Sequence, residues 1–225
     1  MSKIVGADDL AARDWSLAPQ RYLCREIELE NATPLGDLTV AIERGAAIRA
    51  AELDELATPE DTGISYLPAS SVADGRTGGD LPHITGLDPK HQRACLKDGD
   101  LVLTKVGSPV RVAVAEVPEG QTVVATGNLY VVRLDTERID PYFLAAFLSS
   151  DDGQELACGL ATGTTIPTIA LRDLRGLEVP VPPMDVQRRV AERYQAALGE
   201  IEVHKVRLER ARSAATSAYD EEMGR

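Results

Sequence analysis

Three residues whose chemistry could support catalysis, Asp98, Asp100 and Lys105, stand close together in the sequence. Clustered carboxylates with a nearby lysine are the groups that a metal-dependent nuclease uses, because the carboxylates hold the cation that activates water. Here, however, Asp98 and Asp100 flank Gly99 and directly precede the apolar run that begins at Leu101. That arrangement is typical of a turn before a strand, so we interpret it as structural.

Other catalytic motifs are missing from the sequence. No GxxxxGK(S/T) phosphate-binding loop occurs. An N6-adenine methylase would carry (N/D)PP(Y/F), whereas Pro182-Pro183 stands between Val181 and Met184, without the polar and aromatic members. The three histidines, His83, His91 and His204, do not have the spacing of metal ligands. The three cysteines are far apart and form no C-x-x-C pair; they are Cys24, Cys95 and Cys158. We therefore expect free thiols, no metal, no cofactor and no catalytic activity of the chain's own.

Residues suited to contact DNA fall in two stretches. One is the loop after Gly163, where hydroxyl groups and an exposed backbone suit phosphate oxygens or base edges. The other is the window from residue 76 to residue 111, which holds six Lys and Arg against four Asp. The candidate DNA-binding residues are Arg76, Lys90, Arg93, Lys105, Ser108, Arg111, Thr164 and Thr165. A tight turn in the first stretch and a solvated hairpin around Lys105 to Arg111 remain the structural alternatives.

The charge balance is unusual for a DNA-binding protein. The chain of 225 residues carries a formal net charge of −12 at pH 7. Residues 184–225 hold eight basic and eight acidic side chains, so the whole excess of acid lies in residues 1–183. Because phosphate neutralisation supplies much of the affinity for nucleic acids, the basic window is where contact with DNA is expected.

Short apolar and β-branched runs separated by turn residues extend from Ile64 to Leu134, which predicts one curved, mostly antiparallel sheet. Arg111–Val117 and Gln121–Ala125 are separated by Pro-Glu-Gly and are predicted to form a hairpin. Gly75–Gly79 is predicted to be a glycine-rich turn. Few aromatic residues are present, so the core must be built from Val, Leu, Ile and Ala.

Three segments beside the sheet have helical patterns. Ala46–Pro59 is rich in Ala, Leu and Glu, which favours a helix or an acidic loop. Pro141–Ser150 places a proline in the first turn and apolar residues on one face. Asp151–Leu160 is expected to continue that helix or to form a second short one.

The strand candidate Leu177–Val181 leads into the longest predicted helix. Pro182-Pro183 ends the extended run, and Asp185 suits a first helical turn, where unpaired N–H groups favour an anion. From Val186 onward, apolar or small residues recur at steps of four and three, a heptad pattern that predicts pairing with another helix. The predicted pairing residues are Val190, Tyr194, Ala197, Ile201, His204, Leu208, Ala211 and Ala215.

Four sequence blocks follow one another along the chain: Tyr66–Pro68 with Val72–Gly75, Leu96–Ser108 (LKDGDLVLTKVGS), Pro141–Ser150 (PYFLAAFLSS) and Leu171–Gln187 (LRDLRGLEVPVPPMDVQ). In order and spacing they resemble the target-recognition domain of type I restriction-modification specificity subunits. Pro182, Pro183 and Gln187 match that family's "PLPPLxEQ" ending, and the acidic position is shifted by one, to Asp185.

The resemblance implies an α+β fold, in which a curved, mostly antiparallel sheet with flanking helices precedes a long C-terminal coiled-coil helix. It implies a target-recognition domain over residues 21–183 and a dimerisation or spacer helix over residues 184–225. Residues 1–20 lack sustained periodicity and are expected to form an N-terminal arm. Full-length family members carry two such domains and two helices, so this chain corresponds to a half-sized specificity subunit. The implied partners are double-stranded DNA, a DNA methyltransferase subunit, a restriction or translocase subunit, and a second copy paired through the helix.

Two other functions fit the sequence. The chain could be a detached recognition module of an N6-adenine DNA methylase, or an acidic scaffold or DNA mimic that docks on a basic partner. The excess of acid favours the mimic, whereas the family blocks favour the specificity subunit. No apolar run approaches the length of a membrane span, and the first 14 residues have no signal-peptide pattern, so a cytoplasmic protein is expected.

Overall fold

The structure is a computed structural model that describes residues 4–11, 15, 27–77, 79–163 and 166–223, with the side chains of residues 218–223 outside the description. The α-helices in these ranges are α1 (Ala7–Ala11), α2 (Ala50–Leu56), α3 (Pro141–Ser149), α4 (Asp151–Leu160), α5 (Leu171–Arg175) and α6 (Met184–Met223). The strands are β1 (Ala32–Pro34), β2 (Thr39–Arg44), β3 (Ala57–Thr58), β4 (Ile64–Leu67), β5 (Val72–Ala73), β6 (Gly75–Thr77), β7 (His83–Ile84), β8 (Leu101–Thr104), β9 (Val112–Val114), β10 (Thr122–Ala125), β11 (Leu129–Leu134), β12 (Ala161–Thr162), β13 (Thr168–Ile169) and β14 (Glu178–Pro180). Short 3-10 helices lie at Leu35–Leu38, Ala69–Ser71 and Pro89–Ala94.

The strands form two main sheets. The larger has the order β2-β11-β8-β9-β6-β5 and the smaller has the order β10-β4-β7-β3, while β1-β14 and β12-β13 are separate pairs. Among the named strands of the described ranges, only the β6–β9 and β10–β4 pairings are parallel. The predicted α+β class, with mostly antiparallel strands, flanking helices and a long C-terminal helix, is confirmed. The strands are shared between two sheets, however, rather than forming one.

The predicted hairpin between Arg111–Val117 and Gln121–Ala125 is wrong. A turn does form, because the backbone N–H of Gln121 donates to the carbonyl oxygen of Pro118 at 3.1 Å. The two strands then separate: β9 pairs with β8 and β6 in the larger sheet, whereas β10 pairs with β4 in the smaller one. All of β9 and most of β10 are buried, so each strand is covered on both faces instead of exposing one face of a hairpin.

The glycine-rich turn predicted at Gly75–Gly79 is also displaced. Gly75 to Thr77 form strand β6, and the chain reverses just before it, at Asp74, where φ is 49°. Gly75 has a φ of 75° as well, a conformation that costs little without a Cβ atom. Gly78 lies outside the described residues.

Alternating residues of the central strands fill two layers of core. Leu101 and Leu103 of β8 belong to a cluster that includes residues of α3, α4 and α5, whereas Val102 belongs to a second cluster with residues of β4 and β10. This is the period-two pattern of a strand that is buried on both faces. The larger sheet is therefore covered by helices on one side and by the smaller sheet on the other.

The predicted helices at residues 141–150 and 151–160 are confirmed as α3 and α4, and α2 forms within the helix-favouring segment before β3. Asp140 accepts hydrogen bonds from the N–H groups of Tyr142 and Phe143 at the start of α3. Ser150 accepts one from the N–H of Gly153 at the start of α4. Such caps pair N–H groups that a helix leaves without partners.

The turn before β8 contains a buried ion pair. Asp100 is 3% exposed, and its carboxylate accepts from Nε and Nη2 of Arg133 at 3.0 and 2.7 Å. It also accepts from the backbone N–H of Lys97 at 2.8 Å, and Gly99 has a φ of 81°. The interpretation of Asp98 to Asp100 as a structural turn is confirmed, because both oxygens of Asp100 are engaged in holding it.

Helix α6 starts against the body of the protein and ends outside it. Val190 and Tyr194 pack on the larger core cluster, and Ala191 and Leu198 are buried. From Ile201 to residue 217 every side chain is exposed. The predicted pairing seam is therefore divided: Val190 and Tyr194 contact the chain's own core, whereas the seam from Ile201 onward lies open.

Candidate nucleic-acid interface

Three basic residues lie at the same end of the larger sheet, which we call the basic end. Arg44 ends β2, Lys105 follows β8, and Arg111 precedes β9. Tyr130 of β11 lies opposite both Arg44 and Leu103, and β9 begins opposite Leu103. The register therefore brings together residues that are far apart in the sequence. Three strand spacings, roughly 14 Å in all, separate β2 from β9.

A surface cleft beside Arg44 adds further cations, and we call it the basic cleft. Its charged lining residues are Arg44, Lys90, Arg93, Arg175 and Glu43, with His91 beside them. The four cationic side chains are all exposed. The lining thus carries four positive charges and one negative charge, with Asp88 beside it as the partner of Lys90. This excess of positive charge on a concave surface suits the phosphate groups of nucleic acid.

Lys90 is held by Asp88 at the start of the Pro89–Ala94 helix. Its Nζ lies 2.8 Å from Oδ2 of Asp88, and Oδ1 accepts from the backbone N–H of Lys90. Hydrogen bonding to Lys90 lowers the pKa of the Asp88 carboxyl, and the same pair raises the pKa of the Lys90 amine. Both side chains are largely exposed, so the pair is weak and the Lys90 amine is accessible from solvent.

The loop after β8 adjoins the hairpin of β12 and β13. The N–H of Ile169 in β13 donates to the carbonyl oxygen of Lys105 at 3.1 Å, and Ser108 is exposed on the same loop. Thr164 and Thr165 lie outside the described residues. The two strands that flank them, β12 and β13, lie beside the loop after β8 at the basic end.

Arg76 is placed apart from the other candidates. It lies on β6 opposite Val114, toward the far end of β9, and its Nη1 is 2.7 Å from Oε1 of Glu116. It lines a cleft together with Leu198 and Ile201 of α6. The other described candidates fall in two groups: Lys90 and Arg93 line the basic cleft, whereas Lys105, Ser108 and Arg111 lie on the loop between β8 and β9 at the basic end.

The opposite end of the larger sheet is acidic. Four segments meet there: residues 35–38 before β2, 97–100 before β8, 115–120 after β9 and 135–140 after β11. Together they contain eight acidic and two basic residues. The loops 105–111 and 126–128, at the basic end, contain no Asp or Glu. The net charge of residues 1–183 therefore does not describe the surface at the basic end.

Sequence patterns do not single out Arg44 or Arg175, which lie in different elements far apart in the chain. The signal that each carries is local: both are followed by a glycine at the end of an element. At Gly45 a Cβ atom would lie 1.9 Å from the carbonyl oxygen of Thr126. The end of β2 is thus pressed onto the turn before β11, which positions Arg44 at the rim of the basic cleft.

The described residues include no group of three or more His, Cys, Asp or Glu that could hold a metal ion. No helix in these ranges is both long enough and apolar enough to cross a membrane. Cys95 and Cys158 are free thiols, and burial raises the pKa of Cys95. Cys24 lies outside the described residues.

Comparison with solved structures identifies the fold. An HsdS subunit from Thermoanaerobacter tengcongensis matches with a TM-score of 0.51 at 16% identity, over 85% of this chain and 43% of that chain. A structure reported on complex assembly and conformational transition of the type I R-M system matches with a TM-score of 0.55 at 17% identity, over 88% of this chain and 46% of that chain. The fold is that of type I specificity subunits.

This chain spans less than half the length of the type I specificity subunits it matches. No protein-family model matches it, and no curated protein sequence does so either. The likeness to the specificity subunits is therefore one of three-dimensional structure, and it includes most of this chain.

Proposed function

We propose that this chain is a half-sized DNA sequence-specificity subunit, which directs a DNA methyltransferase subunit and a restriction subunit to a bipartite site. The observation that carries the proposal is the division of charge across the larger sheet. The basic end and the basic cleft present exposed basic side chains, which suit phosphate groups, although residues 1–183 are strongly acidic. The fold of type I specificity subunits supports the same function.

The isolated chain is expected to bind duplex DNA weakly, because one small basic surface must overcome the repulsion of a strongly acidic domain. Addition of a methyltransferase subunit from the same genome should produce tight, sequence-dependent binding. Electrophoretic mobility shift with random and selected duplexes, with and without that subunit, measures both expectations. Tight, salt-sensitive binding of random duplex by the isolated chain would contradict the proposal.

The open part of α6 supports pairing with a second helix. Ile201 and Leu208 are 39% and 51% exposed, and they share one face because seven residues make about two turns. From Ile201 to Met223 the helix extends roughly 34 Å at ~1.5 Å per residue. An unsupported helix is marginally stable in water, so a second copy running antiparallel is the expected partner.

Replacing Ile201 and Leu208 with aspartate is expected to convert a dimer to a monomer, because two buried apolar contacts become two like charges facing each other. Val203 and Val206 provide the matched control. They are also exposed apolar residues of α6 but lie away from the seam, so the same change there should leave the dimer intact. Sedimentation velocity at tens of micromolar measures the result, and a wild-type monomer under these conditions would contradict self-pairing.

A further inference from the structure

Helix α6 packs on the core through Val190, and Nζ of Lys205 forms an exposed ion pair with Oδ2 of Asp74 at 2.7 Å. Beyond these interactions, two closely fitted contacts determine how the helix lies on the rest of the chain. The first is at Gln187, whose side chain is buried and only 1% exposed. Its Oε1 accepts from the backbone N–H of Asp140 at 2.9 Å. Its Nε2 donates to the carbonyl oxygens of Arg138 and Pro182 at 3.2 and 2.8 Å. Since two of the three partners are backbone groups of Arg138 and Asp140, the start of the helix is fixed to the segment between β11 and α3.

The second contact lies about three turns further along the helix, at Gly75. A Cβ atom on Gly75 would lie 2.6 Å from Oη of Tyr194 and 2.7 Å from Cδ2 of Leu198. Oη of Tyr194 also lies 3.2 Å from Oγ of Ser149 in α3. Because Gly75 has no side chain, α6 can pack directly on the turn between β5 and β6.

The contacts at Gln187 and at Gly75 lie at different points along α6, and together they fix the direction of the helix axis relative to the domain. Leu198 is roughly 16 Å beyond Gln187 at ~1.5 Å per residue, and about 38 Å of helix follow between Leu198 and Met223. A tilt of about 5° at these contacts would move the far end by about 3 Å. That displacement is close to the ~3.4 Å rise of one base pair.

We propose that this helix joint, formed by Gln187, Tyr194, Leu198 and Gly75, determines which spacer length the assembled protein accepts between the two halves of its DNA site. The inference rests on the proposed function, because only paired recognition domains have a spacer to measure. The length of α6 sets the coarse separation of the two domains. The helix joint sets the direction in which each domain is held, and so selects among spacers that differ by one base pair.

Distance measurements on the chain itself test the helix joint without DNA. Spin labels at the exposed positions Glu60 and Arg212, with labelled chain diluted into unlabelled chain, should give a narrow distance distribution by pulsed electron paramagnetic resonance. Gln187→Ala removes three hydrogen bonds and should broaden the distribution. Leu198→Ala trims the second contact and should broaden it while leaving those hydrogen bonds in place. Gln195→Ala, at an exposed glutamine of the same helix, is the matched control and should leave it unchanged.

A series of bipartite duplexes whose spacers differ by single base pairs tests the effect on DNA. Each step moves the half-sites by about 3.4 Å and turns them by about 35°. The wild-type chain with its methyltransferase subunit should therefore prefer one spacer several-fold over its neighbours. In Gln187→Ala and Leu198→Ala this ratio should fall toward one, whereas Gln195→Ala should retain it.

The outcomes separate the two proposals. A wild-type complex that prefers no spacer would overturn both the proposed function and the role of the helix joint. A sharp wild-type preference that persists in both joint variants would overturn the role of the joint alone, as would unchanged distance distributions in variants that fold. Thermal unfolding of each variant identifies those that fold, and Leu198→Ala carries the test if Gln187→Ala does not.

Discussion

Alanine in place of Asp100 is expected to lower the free energy of unfolding by about 3–5 kcal/mol. The buried carboxylate accepts two hydrogen bonds from Arg133 and one from the backbone N–H of Lys97. Its removal leaves the guanidinium without a partner next to the core and unpairs the Lys97 N–H. Because the Arg133 side chain is 26% exposed, water relieves part of the penalty, which places the loss in the lower part of that range. Equilibrium denaturation in urea measures it.

Two further variants identify the cause of that loss. Asp37→Ala removes an exposed carboxylate from the same end of the sheet and should change stability by less than about 0.5 kcal/mol. Asp100→Leu combined with Arg133→Met removes both charges and should recover most of the stability. A double variant as unstable as Asp100→Ala would show that lost packing, rather than an unpaired charge, causes the effect.

Charge reversal at Arg44 and Arg175 is expected to weaken DNA binding by the assembled complex at least about tenfold. Both side chains are exposed and line the basic cleft. Reversal replaces two attractions to phosphate with two repulsions on a surface that holds only a few cations. The slope of log affinity against log salt concentration should become shallower by about 2, one unit for each lost phosphate contact. Anisotropy titrations at several salt concentrations measure both quantities.

The pair Lys105→Glu and Arg111→Glu is expected to act in the same direction, since the strand register places both residues at the basic end. Lys97→Glu with Arg188→Glu changes the charge by the same amount at exposed positions away from the basic end and is the matched control. Equal weakening by the control pair would show that net charge governs binding. Unchanged affinity in folded variants of both test pairs would place the DNA-binding surface elsewhere.

Elements with local signals could be predicted from the sequence. Pro141 in the first turn predicts the start of α3, and Pro182-Pro183 predicts the end of the strand before α6. The heptad steps predict the length of α6. These signals act within a few residues, because a cap, a fixed φ or a repeating apolar position needs only its neighbours in the chain.

Pairing between distant segments could not be predicted in the same way. The turn at Pro118 to Gln121 forms as expected, but the burial of both faces of β9 and β10 sends the two strands to different sheets. Arg44 and Arg175 meet only through strand register and the packing of α5. The heptad pattern likewise does not specify its partner: Val190 follows the same rhythm as Ile201, yet it packs on the chain's own core.

The separation of acidic and basic ends makes the larger sheet an electric dipole, which under the proposed function would affect how DNA approaches it. At about 0.01 M salt the Debye length is about 30 Å, so an approaching duplex is repelled by the acidic residues of the whole domain. At about 0.15 M it shrinks to about 8 Å, and each collision is governed by the nearest surface alone. A duplex that meets the basic end of the domain would then be attracted, whereas a duplex that meets another part of the surface would be repelled. Physiological ionic strength would thus favour encounters in which the basic end of the domain faces the duplex.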